Sequence, residues 1–381
     1  MKSFLFRIYL SVVKFIFRWV PTNENLYVIL NGSGRSGSNG YIFFKYLKKK
    51  HPEVEAVLVE PWPSSHLPLK TWKKIGEAKY IFTTHQPFKL KNSQICTSFW
   101  HGIPLKGMGI LAANTTYKTD LKNMNVWKNN ADRVVSSSAL YETLMSACIA
   151  NEGKKYVKNG FPRIDALYHP VVSKQNLLHD FFQRKDDKAK IGIYMPTFRY
   201  ELNDDNVMKM ISEGNFFAFK DFDANSLNNK LKELHQYLII KLHPYEMKKM
   251  QMDKIKVDQY SNIYFLKNDY LEKNNLDLYE LLGSTDYLMT DFSSIYFDYL
   301  HLNKPIFFIT NYLEQYETAR SLLITPYKEV VPGATVENQI ELLQKLADLS
   351  NDSYEQKRNY WLQLTDRLPT GNNCERNFDT L

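Results

Sequence analysis

Short runs of β-branched and aromatic residues recur through the chain at LYVIL (26–30), VEAVLVE (54–60), KYIFTT (79–84), ICTSFW (95–100) and DRVVSSS (132–138), separated by longer helical or polar stretches. This alternation is the βα rhythm of a parallel sheet, whose strands are apolar on both faces because helices cover both. The rhythm restarts at IGIYMPT (191–197), YLIIKLHP (237–244), NIYFLK (262–267), DYLMTD (286–291) and KPIFFIT (304–310). A length of 381 residues accommodates two domains of ordinary size. The fold class expected is therefore α/β, two doubly wound domains facing across a cleft, with ligands at the carboxyl ends of the strands. HDFFQRKDDKAK at 179–190 is the most charged and least periodic part of the middle, and the linker is expected there. The domains then read 22–184 and 185–350, with 351–381 a helical segment packing back on the first.

The first 21 residues, MKSFLFRIYLSVVKFIFRWVP, contain no acid. On a helix Ser3, Arg7, Ser11, Lys14 and Arg18 form one narrow stripe, and the rest of the circumference is almost entirely apolar. A spanning helix needs about 20 apolar residues with few charges, and a secretory signal needs an uninterrupted core with a small-residue cleavage site. The segment fits neither, and is read as an amphipathic helix over 1–21 lying in an anionic membrane surface; the competing reading is a helix docked on its own domain.

A formal net charge of +8 points to anionic partners. Nucleic acid is not among those expected, because the cations are spread along the chain rather than gathered in a reader motif. Cys96, Cys148 and Cys374 have no CxxC spacing, so neither a disulfide framework nor a zinc site is indicated, and a reducing cytosol is expected.

Several polar groups fall where such sheets place ligands. His101 follows the strand ICTSFW directly, and Gly102 beside it allows a substrate to come close. His243 follows YLIIKL in the same manner. One imidazole can take a hydroxyl proton and another can steady a phosphate, although a lone histidine at a strand end is commonly an ordinary loop residue. In LMTDFSSIYFDYL (288–300) a strand ends at Thr290 and Asp291, and Ser293 and Ser294 open a helix. Hydroxyls and backbone N–H groups at a helix start favour an anion, and the same residues would equally serve as caps. Arg199 in PTFR stands just past a strand; Arg163 in GFPRID and Arg320 in ETARS are open to either an anionic ligand or a carboxylate. NGSGRSGSNG (31–40) is a glycine-rich turn after the first strand. Neither a P-loop nor a dinucleotide fingerprint is present.

In their order and spacing WHGIPLKGMG, GFPRIDAL, PTFR, KLHP, TDFSSIYFDYL and the late Pro332–Gly333 resemble the CDP-glycerol glycerophosphotransferase family, the TagF-like and TagB-like enzymes of teichoic-acid and capsule synthesis. The likeness runs from about Leu26 to the C-terminus. It implies a GT-B-like pair of Rossmann-type domains, peripheral on the cytoplasmic face of the bacterial membrane. The implied reaction moves glycerol phosphate from CDP-glycerol to a hydroxyl of an undecaprenyl-pyrophosphate-linked acceptor and releases CMP. The family's base corresponds to His101 and its phosphate-side histidine to His243. Thr290, Asp291, Ser293 and Ser294 correspond to the donor-pyrophosphate motif, with Gly102, Arg199 and Arg320 as further substrate contacts. No cofactor beyond the CDP-polyol is implied and no metal cage stands out; an anionic membrane surface and a second copy of the chain are further partners. Two departures concern specificity: RSGSNG replaces the family's YSDNP-like stretch, and serine follows Arg320 where the family has glycine.

The alternatives are the same transfer from CDP-ribitol, a GT-B glycosyltransferase using a nucleotide sugar, and a non-catalytic membrane-surface protein. Release of CMP, of a nucleoside diphosphate, or of neither separates these classes.

Overall fold

A computed structural model describes residues 2–64, 67–202, 204–250, 260–368 and 371–381, without the side chains of residues 2–7, 201 and 249. The chain forms two compact units, one of Met1–His101, Thr116–Ala166 and Thr370–Leu381, the other of Gly102–Thr115 and Leu167–Pro369.

The first unit holds a six-stranded parallel sheet of β1 (Asn23–Leu30), β2 (Glu55–Val59), β3 (Ala78–Thr83), β4 (Ile95–Ser98), β5 (Arg133–Val135) and β6 (Tyr156–Val157), in the order β2-β1-β3-β4-β5-β6. Leu26 to Leu30 of β1 run level with Glu55 to Val59 of β2, and Tyr27 to Leu30 with Tyr80 to Thr83 of β3. All five residues of LYVIL are buried, as a strand covered on both faces requires. The order in which strands are added reverses between β1 and β3, so the crevice of this unit lies at their carboxyl ends.

The second unit repeats the design with β7 (Lys190–Met195), β8 (Gln236–Ile240), β9 (Ile263–Phe265), β10 (Tyr287–Thr290), β11 (Ile306–Ile309) and β12 (Ala334–Val336). Their order β12-β11-β10-β7-β8-β9 puts the reversal between β7 and β10. Gly192 is glycine for a packing reason, since a Cβ there would stand 2.0 Å from the Tyr287 ring on β10.

The division of the chain differs from the expected one in three places. Residues 179–182 are not a linker, because the helix Lys174–Phe182 buries Phe181 and Phe182 in the second unit, where Phe181 stacks on Tyr264 at 4.5 Å. The chain therefore changes unit after Ala166. Residues 102–115 also join the second unit: Gly107 N–H donates to Ser321 O and Leu323 N–H to Leu105 O, each at 2.9 Å. The C-terminal segment is split. The helix Glu355–Thr365 stays with the second unit, where Arg358 is buried against Asn303 and Asp352 and Trp361 Nε1 donates to Val330 O. Only the chain end with the helix Asn373–Asp379 returns to the first unit, the N–H groups of Asn373 and Cys374 held at 2.8 Å by the two carboxylate oxygens of Asp165.

The N-terminal helix Lys2–Phe17 meets its own domain on one stripe. Val13 is buried in the cluster of Leu26, Val28, Trp72 and Ile75, with Leu10 and Phe17 partly buried beside it. Lys14 lies 5.0 Å from the Phe88 ring centroid. Ile8, Val12, Phe15 and Ile16 point away and are exposed, followed by Trp19 at 70% exposure. Docking thus accounts for one face and leaves a second apolar face uncovered among the described residues. The side chains of Ser3 and Arg7 lie outside those residues. No described helix is long and apolar enough to cross a membrane.

Candidate active site

In the first unit the chain leaves β4 through Trp100, whose φ of 51° is rare for a side chain of that size, and reaches His101. Gly102 follows at φ 147°, a value that excludes other residues without strain. The backbone is thus bent on both sides of His101, a feature that clusters at functional sites. Nδ1 of His101 lies 3.1 Å from the carbonyl oxygen of Thr84, at the end of β3. A carbonyl only accepts, so Nδ1 carries the proton and, in the neutral ring, Nε2 is the unprotonated nitrogen.

Thr84 also organises its surroundings through its hydroxyl, which accepts from Gly32 N–H at 2.9 Å and meets His85 Nδ1 at 3.3 Å. The His85 ring centroid stands 4.7 Å from that of His101. Burial holds the His85 imidazole below its ordinary pKa, so it faces His101 uncharged. The buried Arg163 uses one nitrogen, Nη1, to reach His101 O at 2.8 Å and Gly37 O at 3.1 Å. Asn39 accepts from Arg163 N–H and donates to Trp100 O at 3.0 Å. Thr84, His85 and Asn39 were not expected from the sequence. The signal for the first two was present, since TTHQ follows a strand just as His101 does.

In the second unit His243 precedes the helix Pro244–Lys249, and its Nδ1 accepts from Tyr245 N–H at 3.2 Å. Its proton is therefore on Nε2, the reverse of His101. His243 is exposed, with Phe198 packed on its ring at 4.5 Å. Arg199 is fully buried: its guanidinium meets Glu246 at 3.0 Å, Tyr194 OH and Phe216 O, and its backbone N–H donates to Glu246 at 2.7 Å. Glu246 lies in the first turn after His243, so the pair pins the strand-end loop 196–199 to the turn that carries the histidine.

Asp291 is likewise enclosed. Its carboxylate accepts from Thr197 N–H at 2.7 Å, Thr197 Oγ1 at 3.0 Å and Tyr312 OH at 2.5 Å. Burial raises its pKa against the pull of Tyr312 and Arg199. Thr290 Oγ1 is turned to Met195 O at 2.7 Å. Arg199, Thr290 and Asp291 thus face protein partners and form the support beneath the strand ends. Ser293 and Ser294 differ: they are partly exposed just before the helix Ile295–Tyr299, and their hydroxyls make no hydrogen bond to described residues. Neither serine hydroxyl nor the Asp291 carboxylate caps that helix. Arg320 closes the helix Leu313–Arg320, half-buried beside the segment that holds Gly107. Among the described residues no three His, Cys, Asp or Glu side chains gather as a metal site would need.

The family model for CDP-glycerol:poly(glycerophosphate) glycerophosphotransferase matches residues 11–380. The teichoic acid poly(glycerol phosphate) polymerase of Bacillus spizizenii is 26% identical over 378 residues, covering 92% of this chain and 91% of that one. The teichoic acid glycerol-phosphate primase of Bacillus subtilis is 25% identical over 364 residues, covering 89% and 87%. The solved structure of the wall teichoic acid polymerase TagF superposes with a TM-score of 0.75 at 17% identity, over 100% of this chain and 96% of that one, a likeness of fold. With two parallel-sheet α/β units of this type, the chain belongs to the CDP-glycerol glycerophosphotransferase family and is a polyol-phosphate transferase of the CDP-glycerol type.

Proposed function

We propose that this transferase moves glycerol phosphate from CDP-glycerol to a hydroxyl of a lipid-linked teichoic-acid or capsule acceptor. The acceptor oxygen attacks the phosphorus that bears glycerol, the bond from that phosphorus to the bridging oxygen breaks, and CMP leaves with that oxygen. Nε2 of His101 takes the hydroxyl proton as the new P–O bond forms. His243 presents its Nε2 proton to the donor phosphates, with Ser293 and Ser294 as further donors. Gly102 gives the acceptor room beside His101, and Arg320 supplies positive charge on the donor side. Arg199, Thr290 and Asp291 hold the loops that carry these groups.

The observation that carries this reading is the pair of opposite tautomers, with the proton on Nδ1 at His101 and on Nε2 at His243. The first suits a base for the acceptor hydroxyl and the second a donor to phosphate oxygens.

The exposed apolar face of Lys2–Phe17, continued by Trp19, supports peripheral attachment to an anionic bilayer on its cytoplasmic face, where a lipid-linked acceptor resides. Incubation with CDP-glycerol, CDP-ribitol or a nucleotide sugar tests the reaction class. CMP from CDP-glycerol is expected; CMP from CDP-ribitol alone would change the polyol, and a nucleoside diphosphate from a sugar donor would overturn the reading.

A further inference from the structure

The glycine-rich turn after β1 contains polar groups that its own fold leaves unused. Arg35 is 12% exposed in its side chain, and its Nε and Nη1 are buried without an acceptor. Ser33 Oγ, two residues earlier, is also buried without a partner. The guanidinium packs on the Tyr41 ring, 3.4 Å from its centroid, and only Nη2 is engaged, by Glu60 at 2.5 Å. Lys45 Nζ lies 5.6 Å from the same centroid. Two cations thus lie against Tyr41. Burying guanidinium N–H groups without acceptors costs free energy, and an anion at this turn would recover it.

The turn is also tied to the catalytic strand ends at both of its ends. Gly32 N–H is bound by the hydroxyl of Thr84, whose carbonyl holds His101. Gly37 O and His101 O share Arg163 Nη1. An anion at this turn would therefore stand on the unit that carries His101, whereas His243, Ser293 and Ser294 lie on the second unit.

We infer that Arg35 and Ser33, supported by Lys45, form a subsite for a phosphodiester already present on the acceptor, so that the enzyme favours acceptors ending in glycerol phosphate over neutral ones. The inference rests on the phosphotransferase reading above. It makes Arg35, which stands in the stretch that departs from the family's pattern, a specificity-determining residue of this chain.

The test is calorimetric titration of the full chain with glycerophosphoglycerol, inorganic phosphate and CDP-glycerol, for the wild type, Arg35→Gln, Ser33→Ala and Glu60→Gln. Saturable binding of the diester is expected, weakened about tenfold or more by Arg35→Gln. Glu60→Gln removes the offsetting charge while keeping an acceptor for Asn31, and should tighten the diester several-fold, which a purely structural role of the turn would not produce. CDP-glycerol affinity should stay within about twofold throughout. If Arg35→Gln unfolds, the sign of the Glu60→Gln change decides. Equal diester affinity in wild type and variants, or no diester binding while CDP-glycerol binds, overturns the subsite. Inorganic phosphate binding as tightly as the diester with the same dependence on Arg35 overturns its assignment to the acceptor. Arg35-dependent diester binding without CMP release would sink the reaction while leaving the subsite standing; CMP release with the same preference for phosphate-bearing acceptors in Arg35→Gln would do the opposite.

Discussion

His101 and His243 carry their protons on opposite ring nitrogens, because Nδ1 of His101 donates to the Thr84 carbonyl at 3.1 Å while Nδ1 of His243 accepts from Tyr245 N–H at 3.2 Å. Each tautomer is set by one backbone group, so each can be tested without disturbing the other. In His243→Asn the amide oxygen can take over the bond from Tyr245 N–H, since asparagine is a good residue ahead of a helix. The fold should melt within a few degrees of the wild type, and kcat should fall by about 10²–10³ through loss of the Nε2 donor. A wild-type kcat would remove His243 from the reaction.

The buried pair of Arg199 and Glu246 should behave as structure. Arg199→Leu leaves an uncompensated carboxylate in the core, and breaking such a pair costs about 3–5 kcal/mol. Urea unfolding would read this as a lower midpoint. Full stability with donor KM alone raised would instead make Arg199 a direct ligand contact.

Lys241 gives a pH-dependent prediction. It is buried, its ammonium donates to Asn268 Oδ1 at 2.6 Å, and burial pushes it from its ordinary 10.5 down to about 8. The native state therefore disfavours the charged form. The cost is absent above pH 10.5, grows as pH falls toward 8, and is complete below it. Lys241→Met should stabilise the protein at pH 7 by about 1–3 kcal/mol, net of the lost hydrogen bond, with the gain closing as pH rises toward 10.5. Denaturation midpoints at the two pH values check it; a constant difference would show that the charge is not the cause.

Phe15→Glu with Trp19→Glu should abolish cosedimentation with anionic vesicles and leave the melting temperature unchanged, because both side chains are exposed at 61% and 70%. Retained vesicle binding would place membrane attachment elsewhere.

What the sequence disclosed follows from the range of the forces involved. Runs such as LYVIL and IGIYMPT are apolar over a whole strand, so ten strands and the strand-end positions of His101 and His243 were readable. β6, at two residues, is too short to carry a pattern, and β12 reads Ala-Thr-Val, with no large aliphatic or aromatic run to mark it. The transfer of residues 102–115 to the second unit depends on pairing between Leu105–Gly107 and Ser321–Leu323, more than 200 positions away, and leaves no local trace. Arg199 and Asp291 have the same sequence context whether they meet a ligand or a buried partner. Only burial showed that they are enclosed. Thr84 and His85 obeyed the strand-end rule and could have been found by applying it to β3.

The central claim is that Nε2 of His101 removes the acceptor proton as CMP departs. Its most direct measurement is single-turnover CMP release from CDP-glycerol with a glycerol-phosphate-bearing acceptor, comparing wild type with His101→Ala at matched donor occupancy. A rate constant lower by about 10²–10⁴, with CDP-glycerol affinity unchanged, is the predicted result. Release at the wild-type rate in His101→Ala would contradict it.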